Sequence, residues 1–148
     1  MNKYSSGAIG KETTRDELVQ FTSLSMQVAV KIAALAGLSY AFAAMSQMEM
    51  AKGYVERALV VSKTYPQWKV HAIAASANLH LLQGRTAKAE KLYQEAQVEI
   101  SQKFHNSKTL LLGLPLGIFY DNYAAVLRKM GRKREAAEVS ELFASLSN

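Results

Sequence analysis

The chain contains no cysteine, which excludes disulfide scaffolds, zinc sites with thiolate ligands and cysteine nucleophiles. Two prolines and eight glycines in 148 residues are too few for the many tight turns of an all-β sandwich. No stretch alternates between apolar and polar side chains, so the sequence predicts no strand. Hydrophobic residues make up 49% and charged residues 20%, which is the balance of a folded domain.

The charge and the apolar runs limit the kind of protein further. A net charge of +6 is mildly basic, which favours acidic partners without indicating nucleic acid. Carboxylates precede the first apolar run, which argues against a secretory signal. Lys31 interrupts the mostly apolar run from Leu24 to Met45, and its charge at bilayer depth would cost about 2.5–3.5 kcal/mol, so we expect no transmembrane segment. We expect a cytoplasmic protein, with which the absence of cysteine is compatible.

Apolar residues recur at three- and four-residue steps along most of the chain, which is the period of an α-helix. Thr14 and Glu17 form a capping box before the first such pattern, and Ser46 and Glu49 form a second one. The sequence therefore predicts a single all-α domain over 14–148, preceded by a flexible segment over 1–13. Within the domain we predict a helix over 14–31 and helical pairs over about 32–65, 70–103 and 117–148.

Two parts of the chain share one spacing of small residues. A small residue is followed by a glycine seven positions later and by an alanine five positions after that. The glycine lets the chain turn between antiparallel helices, and the alanine lets the second helix approach the first closely. A weaker, earlier copy has Ser46 in place of the glycine. The positions are Ala77, Gly84 and Ala89 in one copy and Ala124, Gly131 and Ala136 in the other.

This pattern resembles the tetratricopeptide repeat family, whose repeats of about 34 residues each contain two antiparallel helices. Tyr93 and Ala96 extend the match in the middle copy, whereas Ser140 and Phe143 depart from it in the last. The aligned alanines at 51, 89 and 136 are 38 and 47 residues apart, so we infer longer repeats and an inserted loop over 104–116, as in the kinesin-light-chain branch. The resemblance implies a right-handed superhelix of about three helical hairpins, preceded by an extra N-terminal helix.

In tetratricopeptide superhelices the first helix of each pair lines a concave groove in which partners bind. The resemblance implies a groove of small, apolar and amide side chains without Lys or Arg, so a clamp for acidic tails is not expected. Asparagine amides hydrogen-bond to peptide backbones, and in a binding role those of Asn78 and Asn122 are expected to be exposed in the empty protein. A structural role predicts instead that each amide is buried and paired with a neighbouring helix. We favour binding for Asn122 and leave both roles open for Asn78. The predicted groove residues are Tyr40, His71, Ala74, Asn78, Asp121, Asn122 and Ala125, with Ala33, Ala36, Gly37, Ala75 and Ile118 beside them.

One alternative is that the chain's own N-terminal helix or its loop over 104–116 fills this groove. Two other interpretations of the function stay open. In one, the apolar N-terminal helix, with Gly37 and several alanines, pairs with a second copy in a homodimer. In the other, a basic cluster around Gly131 binds an acidic partner, nucleic acid or an anionic membrane. No aromatic residue interleaves with this cluster, so specific recognition of nucleic acid is not expected. The basic cluster consists of Arg128, Lys129, Arg132, Lys133 and Arg134.

Residues for catalysis or metal binding do not cluster in the sequence. His71 and His80 are nine residues apart on one predicted helix and therefore point to opposite sides. No glycine-rich loop precedes a Lys-Ser or Lys-Thr pair. We therefore predict no enzyme, no metal and no cofactor. The predicted function is that of an adaptor or scaffold, which binds a peptide or helix of another protein.

Overall fold

The computed structural model describes residues 14–103 and 114–147, and within them every regular element is helical. The predicted all-α fold is thereby confirmed. The segment over 1–13 and most of the loop over 104–116 lie outside the described residues. The elements are α1 (Arg15–Ala44), α2 (Met48–Thr64), a 3-10 helix (Pro66–Trp68), α3 (Lys69–Leu82), α4 (Thr86–Lys103), α5 (Leu116–Lys129) and α6 (Lys133–Ser147).

The first helix, α1, is continuous over 30 residues. Thr14 caps it as predicted, because its hydroxyl accepts a hydrogen bond of 3.2 Å from the Glu17 amide. The prediction of a separate helix over 14–31 is wrong. Gly37 lowers helix propensity without removing a backbone hydrogen bond, and no proline occurs in this stretch, so nothing ends the helix there. With 17 residues in α2, α1 is roughly 20 Å longer than its partner.

Three turns of equal geometry join α1 to α2, α3 to α4 and α5 to α6. In each turn one residue has a positive φ: 60° at Ser46, 75° at Gly84 and 77° at Gly131. The amide of the next residue donates to the carbonyl five positions back at 2.8–2.9 Å, which makes a Schellman cap. The predicted turns at the two glycines are confirmed. A fully buried alanine follows each turn at the same distance, and these are Ala51, Ala89 and Ala136.

The predicted capping box of Ser46 and Glu49 is wrong, because the Schellman turn places Ser46 one residue too early to cap α2. Gln47 precedes that helix instead, and its side chain makes no capping hydrogen bond. Its carbonyl accepts the first helical bond, from the Ala51 amide at 3.0 Å. Gln47 therefore takes part in both helix ends: its amide completes the cap of α1, and its carbonyl accepts the first bond of α2. No additional linker residue separates the two ends.

Ser46→Gly is expected to raise the free energy of unfolding by about 0.5–1 kcal/mol, because glycine adopts a positive φ without the steric cost of a Cβ. Gly84→Ala is expected to lower it by about 1 kcal/mol. The backbone alone causes this loss, since an added Cβ at Gly84 would meet no atom within 4 Å. Urea unfolding followed by circular dichroism measures both changes. Equal stability of wild type and both variants would contradict the shared turn geometry.

The helices pack as three successive hairpins, and contacts run only within a hairpin or between neighbouring ones. Each first helix packs along its own second helix. Between hairpins, α3 contacts both α1 and α2, and α5 contacts both α3 and α4. Among the described residues the first hairpin does not contact the third. The core is therefore a chain of interfaces between adjacent hairpins.

Aromatic rings fill the interface between the second and third hairpins. Tyr93 of α4 meets Phe119 of α5 edge-on, with ring centroids 5.3 Å apart, and stacks on Tyr123 at 5.5 Å. Tyr120 continues the cluster by stacking on Phe143 of α6 at 5.5 Å. Tyr93 and Phe119 are completely buried. This cluster joins α4, α5 and α6.

Within the described part of the chain, α1 is the helix that is long and apolar enough to cross a membrane, judged by length and composition. Its second half packs in the protein core, where Ile32 and Ser39 are buried. Its first half is tied to the 3-10 helix, because the Trp68 indole donates a hydrogen bond of 3.1 Å to the Ser25 hydroxyl. These contacts join both halves of α1 to the rest of the protein, while 25% of its most apolar stretch is buried, so the absence of a transmembrane segment stays a prediction.

Candidate functional site

The seven predicted groove residues lie on α1, α3 and α5, the first helices of the three hairpins. The structure places their α3 members differently from the prediction. His71, Ala74 and Asn78 are buried, because α3 packs against four other helices, α1, α2, α4 and α5. These three side chains do not form a surface that an incoming partner could touch. They lie in the interior of the protein.

The accessible part of the predicted groove lies on α1 and α5. Tyr40 is half-buried on α1, and Gly37 beside it is exposed. On α5, Asp121 is exposed, while Asn122 and Ala125 are half-buried. Two helix faces that carry predicted groove residues therefore flank α3.

The two predicted asparagines pair with each other. The Asn122 side-chain amide donates through Nδ2 to Oδ1 of Asn78 at 3.0 Å. Asn78 is buried and Asn122 half-buried, so the pair shows the arrangement expected of a structural role, and the expectation of an exposed, unpaired amide at Asn122 is wrong. The bond links α3 to α5, and so it stabilises the contact between the second and third hairpins.

The Tyr93 hydroxyl approaches this asparagine pair, and the Tyr40 side chain interacts in turn with Tyr93. Burial raises the pKa of Tyr93, and the Asn122 side chain beside the hydroxyl opposes that rise. Burial likewise raises the pKa of Tyr40, with Tyr93 as a second cause. Neither hydroxyl has a hydrogen-bond partner within the described structure. The four uncharged side chains of Tyr40, Asn78, Tyr93 and Asn122, from all three hairpins, form what we call the Tyr-Asn cluster.

Tyr93 was predicted only as a bulky residue of the repeat pattern. Nothing in the sequence around it indicates a polar role, because its neighbours in the cluster lie far away along the chain. Asn122, for example, follows it 29 residues later. The burial of Tyr93, together with the pairing of the asparagines, is a consequence of how the hairpins stack.

Asn122→Ala is expected to lower the free energy of unfolding by about 1–3 kcal/mol, because Oδ1 of buried Asn78 would lose its donor. Chemical denaturation measures this loss. The double variant with Asn78→Ala should cost less than the two single changes together, since no unpaired carbonyl remains. Asp121→Ala is the control on the same helix, and its exposed position predicts a change within about 0.5 kcal/mol. An Asn122→Ala protein as stable as wild type would contradict the structural role of the pair.

Arg132 differs from the rest of the predicted basic cluster, because it is bound to two carboxylates. Its Nη1 lies 2.9 Å from Oε1 of Glu90, a buried residue near the start of α4. Its Nε donates to Glu135 at 2.8 Å, and Nη2 contacts the other oxygen of the same carboxylate. Arg132 therefore joins the third turn to the second hairpin and is not available to an outside partner.

The other four basic residues face solvent. Arg134 pairs with Glu138 one turn along α6, at 3.3 Å, in a highly exposed ion pair that contributes little to stability. Arg128, Lys129 and Lys133 make no ion pair within the described structure. The predicted basic cluster thus consists of one structural arginine and four cations open to an anionic partner.

Within residues 14–103 and 114–147, no three His, Asp or Glu side chains come close enough together to hold a metal ion. His71 is buried and His80 is half-buried on α3, while His105 lies outside the described residues. An open cleft between α2 and α3, lined among others by Val60, Lys63 and Ile73, contains no histidine.

No protein-family model, no curated protein and no solved structure matches the chain. The resemblance to tetratricopeptide repeats therefore stays a prediction that rests on the repeated spacing of small residues. The positions of the side chains on α1, α3 and α5 and around the turns are the observations on which a function can be proposed.

Proposed function

We propose that the protein is an adaptor or scaffold, and that it binds a peptide or helix of another protein against the first helices of its hairpins. In this proposal α1, α3 and α5 line the inner side of a right-handed, tetratricopeptide-like superhelix. The contact pattern supports it: the first helices touch in a row, whereas α2, α4 and α6 do not touch one another within the described structure. A stack of helical hairpins curves toward the side on which its helices pack more closely, which here is the side of the first helices. A cytoplasmic location, without metal or cofactor, belongs to the same proposal.

The observation that carries this proposal is the pair of exposed helix faces on either side of α3, of which the α5 face includes the carboxylate of Asp121. On α1, Val30 is 65% exposed, and Gly37 follows on the same face two turns later. On α5, Ile118 is 50% exposed and lies one turn from Asn122. Exposed apolar side chains next to small ones let a helix or an extended peptide approach closely. The bond between Asn78 and Asn122 joins the α5 face to α3.

Gly37→Leu tests this surface without disturbing the fold. An added Cβ at Gly37 would meet no atom within 4 Å, so leucine fits there. The change should also stabilise α1, by about 1 kcal/mol or less, because leucine has the higher helix propensity. We expect the variant to fold normally and to lose its partner, since the new side chain occupies the space that the partner needs. Gly53→Leu is the matched control on α2, where an added Cβ also meets nothing within 4 Å.

The measurement compares what wild type and the two glycine variants retain from a native lysate of the source cells. We expect one or more proteins that bind to wild type and to Gly53→Leu, and that are lost with Gly37→Leu. A partner lost equally with both variants, or retained by both, would place the binding surface elsewhere. Equal circular dichroism spectra for the three proteins show that folding does not account for the difference.

The spacing of exposed residues on α1 favours a second candidate function, self-association. Val19, Met26 and Val30 are each at least half exposed. Small residues occupy the positions that continue their seven-residue spacing toward the C-terminal end of α1. Apolar residues at a seven-residue repeat are typical of helices that pair along their length. Sedimentation equilibrium tests this candidate, and a monomer at all concentrations would exclude it. The two sets with seven-residue steps are Val19, Met26 and Ala33, and Val30, Gly37 and Ala44.

A further inference from the structure

The second and third hairpin turns lie at the same edge of the protein. Arg132 in the third turn contacts Glu90, which follows the second turn in α4, at 2.9 Å. The bond between Asn78 and Asn122 shows the same alignment, since each lies within two turns of its helix's C-terminal end. We call the residues over 80–90 and 128–138 the turn edge.

Most of the net charge of the chain is concentrated on the turn edge. Seven Lys and Arg residues and three Glu residues occur there, so it carries four of the six net positive charges. Arg132 alone occupies two of the three carboxylates, Glu90 and Glu135. The remaining cations are therefore left largely uncompensated. Those that face solvent without an ion pair in the described structure are Arg85, Lys88, Arg128, Lys129 and Lys133.

A histidine at the edge responds to this positive potential. Burial lowers the pKa of His80, and the charges of Lys88 and Arg85 lower it further. No carboxylate of the described residues opposes this lowering of the His80 pKa. The second turn thus contributes positive potential to the edge, in addition to the basic cluster of the third turn.

Apolar side chains lie among these cations. Leu82, at the end of α3, is 50% exposed, and Met130, in the third turn, is 41% exposed. A membrane-surface contact uses this combination, because cations attract anionic headgroups while apolar side chains enter the boundary between headgroups and acyl chains. The edge contains no Phe, Tyr or Trp on which nucleic-acid bases could stack.

From this juxtaposition we infer that the turn edge docks on a membrane surface rich in anionic lipid. Lipid is the partner that takes up both the unpaired cations and the exposed Leu82 and Met130. The docking surface uses the C-terminal ends of α3 and α5 with the turns that follow, whereas the proposed partner surface includes Gly37 on α1 and Ile118 at the N-terminal end of α5. Arg132 stays in its ion pairs and does not take part.

Binding to vesicles tests the inference with the full chain. The probes are vesicles of phosphatidylcholine mixed with phosphatidylserine, and vesicles of phosphatidylcholine alone. The edge variant combines Arg128→Ala, Lys129→Ala and Lys133→Ala and leaves Arg132 in place. The matched control combines Lys31→Ala, Arg57→Ala and Lys63→Ala, three exposed cations of α1 and α2 away from the edge. Both variants have the same net charge.

We expect wild type to bind the mixed vesicles, to bind phosphatidylcholine alone weakly, and to lose binding as salt is raised. The edge variant should bind the mixed vesicles about a hundredfold more weakly, at roughly a fivefold loss for each cation near the surface. The control should lose a few-fold at most. Met130→Ser should weaken binding several-fold with an unchanged salt dependence, because it removes apolar contact and no charge.

Several results would overturn the inference. Equal losses in the edge variant and the control would show a response to net charge alone. Tighter binding to duplex DNA or to an acidic peptide than to the mixed vesicles would assign the edge to that partner. If circular dichroism shows that the edge variant does not fold, the double variant Arg85→Ala with Lys88→Ala replaces it. Unchanged binding of that double variant to the mixed vesicles would contradict docking through the turn edge. Gly37→Leu should bind vesicles like wild type, which separates this test from that of the partner surface.

Discussion

Phe119→Ala is expected to lower the free energy of unfolding by about 3–5 kcal/mol, because the change leaves a cavity in a fully packed aromatic cluster. Phe119 is 0% exposed, and its ring contacts Tyr93 of α4 across the interface between the second and third hairpins. The adjacent residue is the matched control. Ile118 is 50% exposed, so Ile118→Ala should cost less than about 1 kcal/mol. Urea unfolding measures both values, and similar losses for the two variants would contradict this arrangement.

The loss of stability in Phe119→Ala should also be concentrated in one part of the chain. Since each hairpin contacts only its neighbours, weakening the contact between α4 and α5 should affect the third hairpin most. Hydrogen exchange of Phe119→Ala should therefore show faster exchange of amides in α5 and α6, with those of α1 and α2 close to wild type. A uniform increase in exchange over all six helices would instead show that the hairpins open only together.

Acid is expected to destabilise the protein through His71. Burial lowers the pKa of His71 from its ordinary 6.5 to about 4. The unfolded chain therefore takes up a proton near pH 6.5, while the folded protein stays unprotonated until near pH 4. Stability is complete above the higher pKa and falls as the pH drops through this window. We expect a loss of about 2 kcal/mol between pH 7 and pH 5, and of about 3 kcal/mol by pH 4.

Denaturant unfolding at several pH values between 7 and 5 measures this effect before the carboxylates titrate. His71→Phe, which fills a similar volume without a titrating group, should lose most of the pH dependence in this range. His80→Gln is the control on the same helix and should retain most of the pH dependence, because His80 is less buried than His71 and the lowering of its pKa is the smaller of the two. An unchanged slope in His71→Phe would show that another group causes the acid sensitivity.

Local features of the fold could be predicted from the sequence because they depend on residues close together along the chain. The Thr14 cap and the turns at Gly84 and Gly131 need only a hydroxyl or a glycine at the right place. Ser46 shows the limit of this reasoning. It precedes a helix as a capping serine does, but the preceding helix continues to Ala44 and makes it the positive-φ residue of a Schellman turn.

The site was harder to predict because it depends on contacts between distant residues. Helical periodicity correctly put His71 and Asn78 on the first helix of a hairpin, but it could not show that the four helices around α3 would bury them. Partners 42 and 44 residues apart form the bonds between Arg132 and Glu90 and between Asn122 and Asn78. No spacing rule within one helix predicts such pairs, so a predicted basic cluster and a predicted groove both contained residues with structural roles.

The bond between Trp68 and Ser25 provides an optical signal for movement of α1. Trp68 is the only tryptophan of the chain, it is buried, and its indole donates to a hydroxyl in the first half of α1. Its fluorescence therefore reports one place, the junction between α1 and the start of the second hairpin. If a partner or a second copy displaces α1 there, water reaches the indole and the emission shifts to longer wavelength. Binding and unfolding at this junction can thus be followed without an added label.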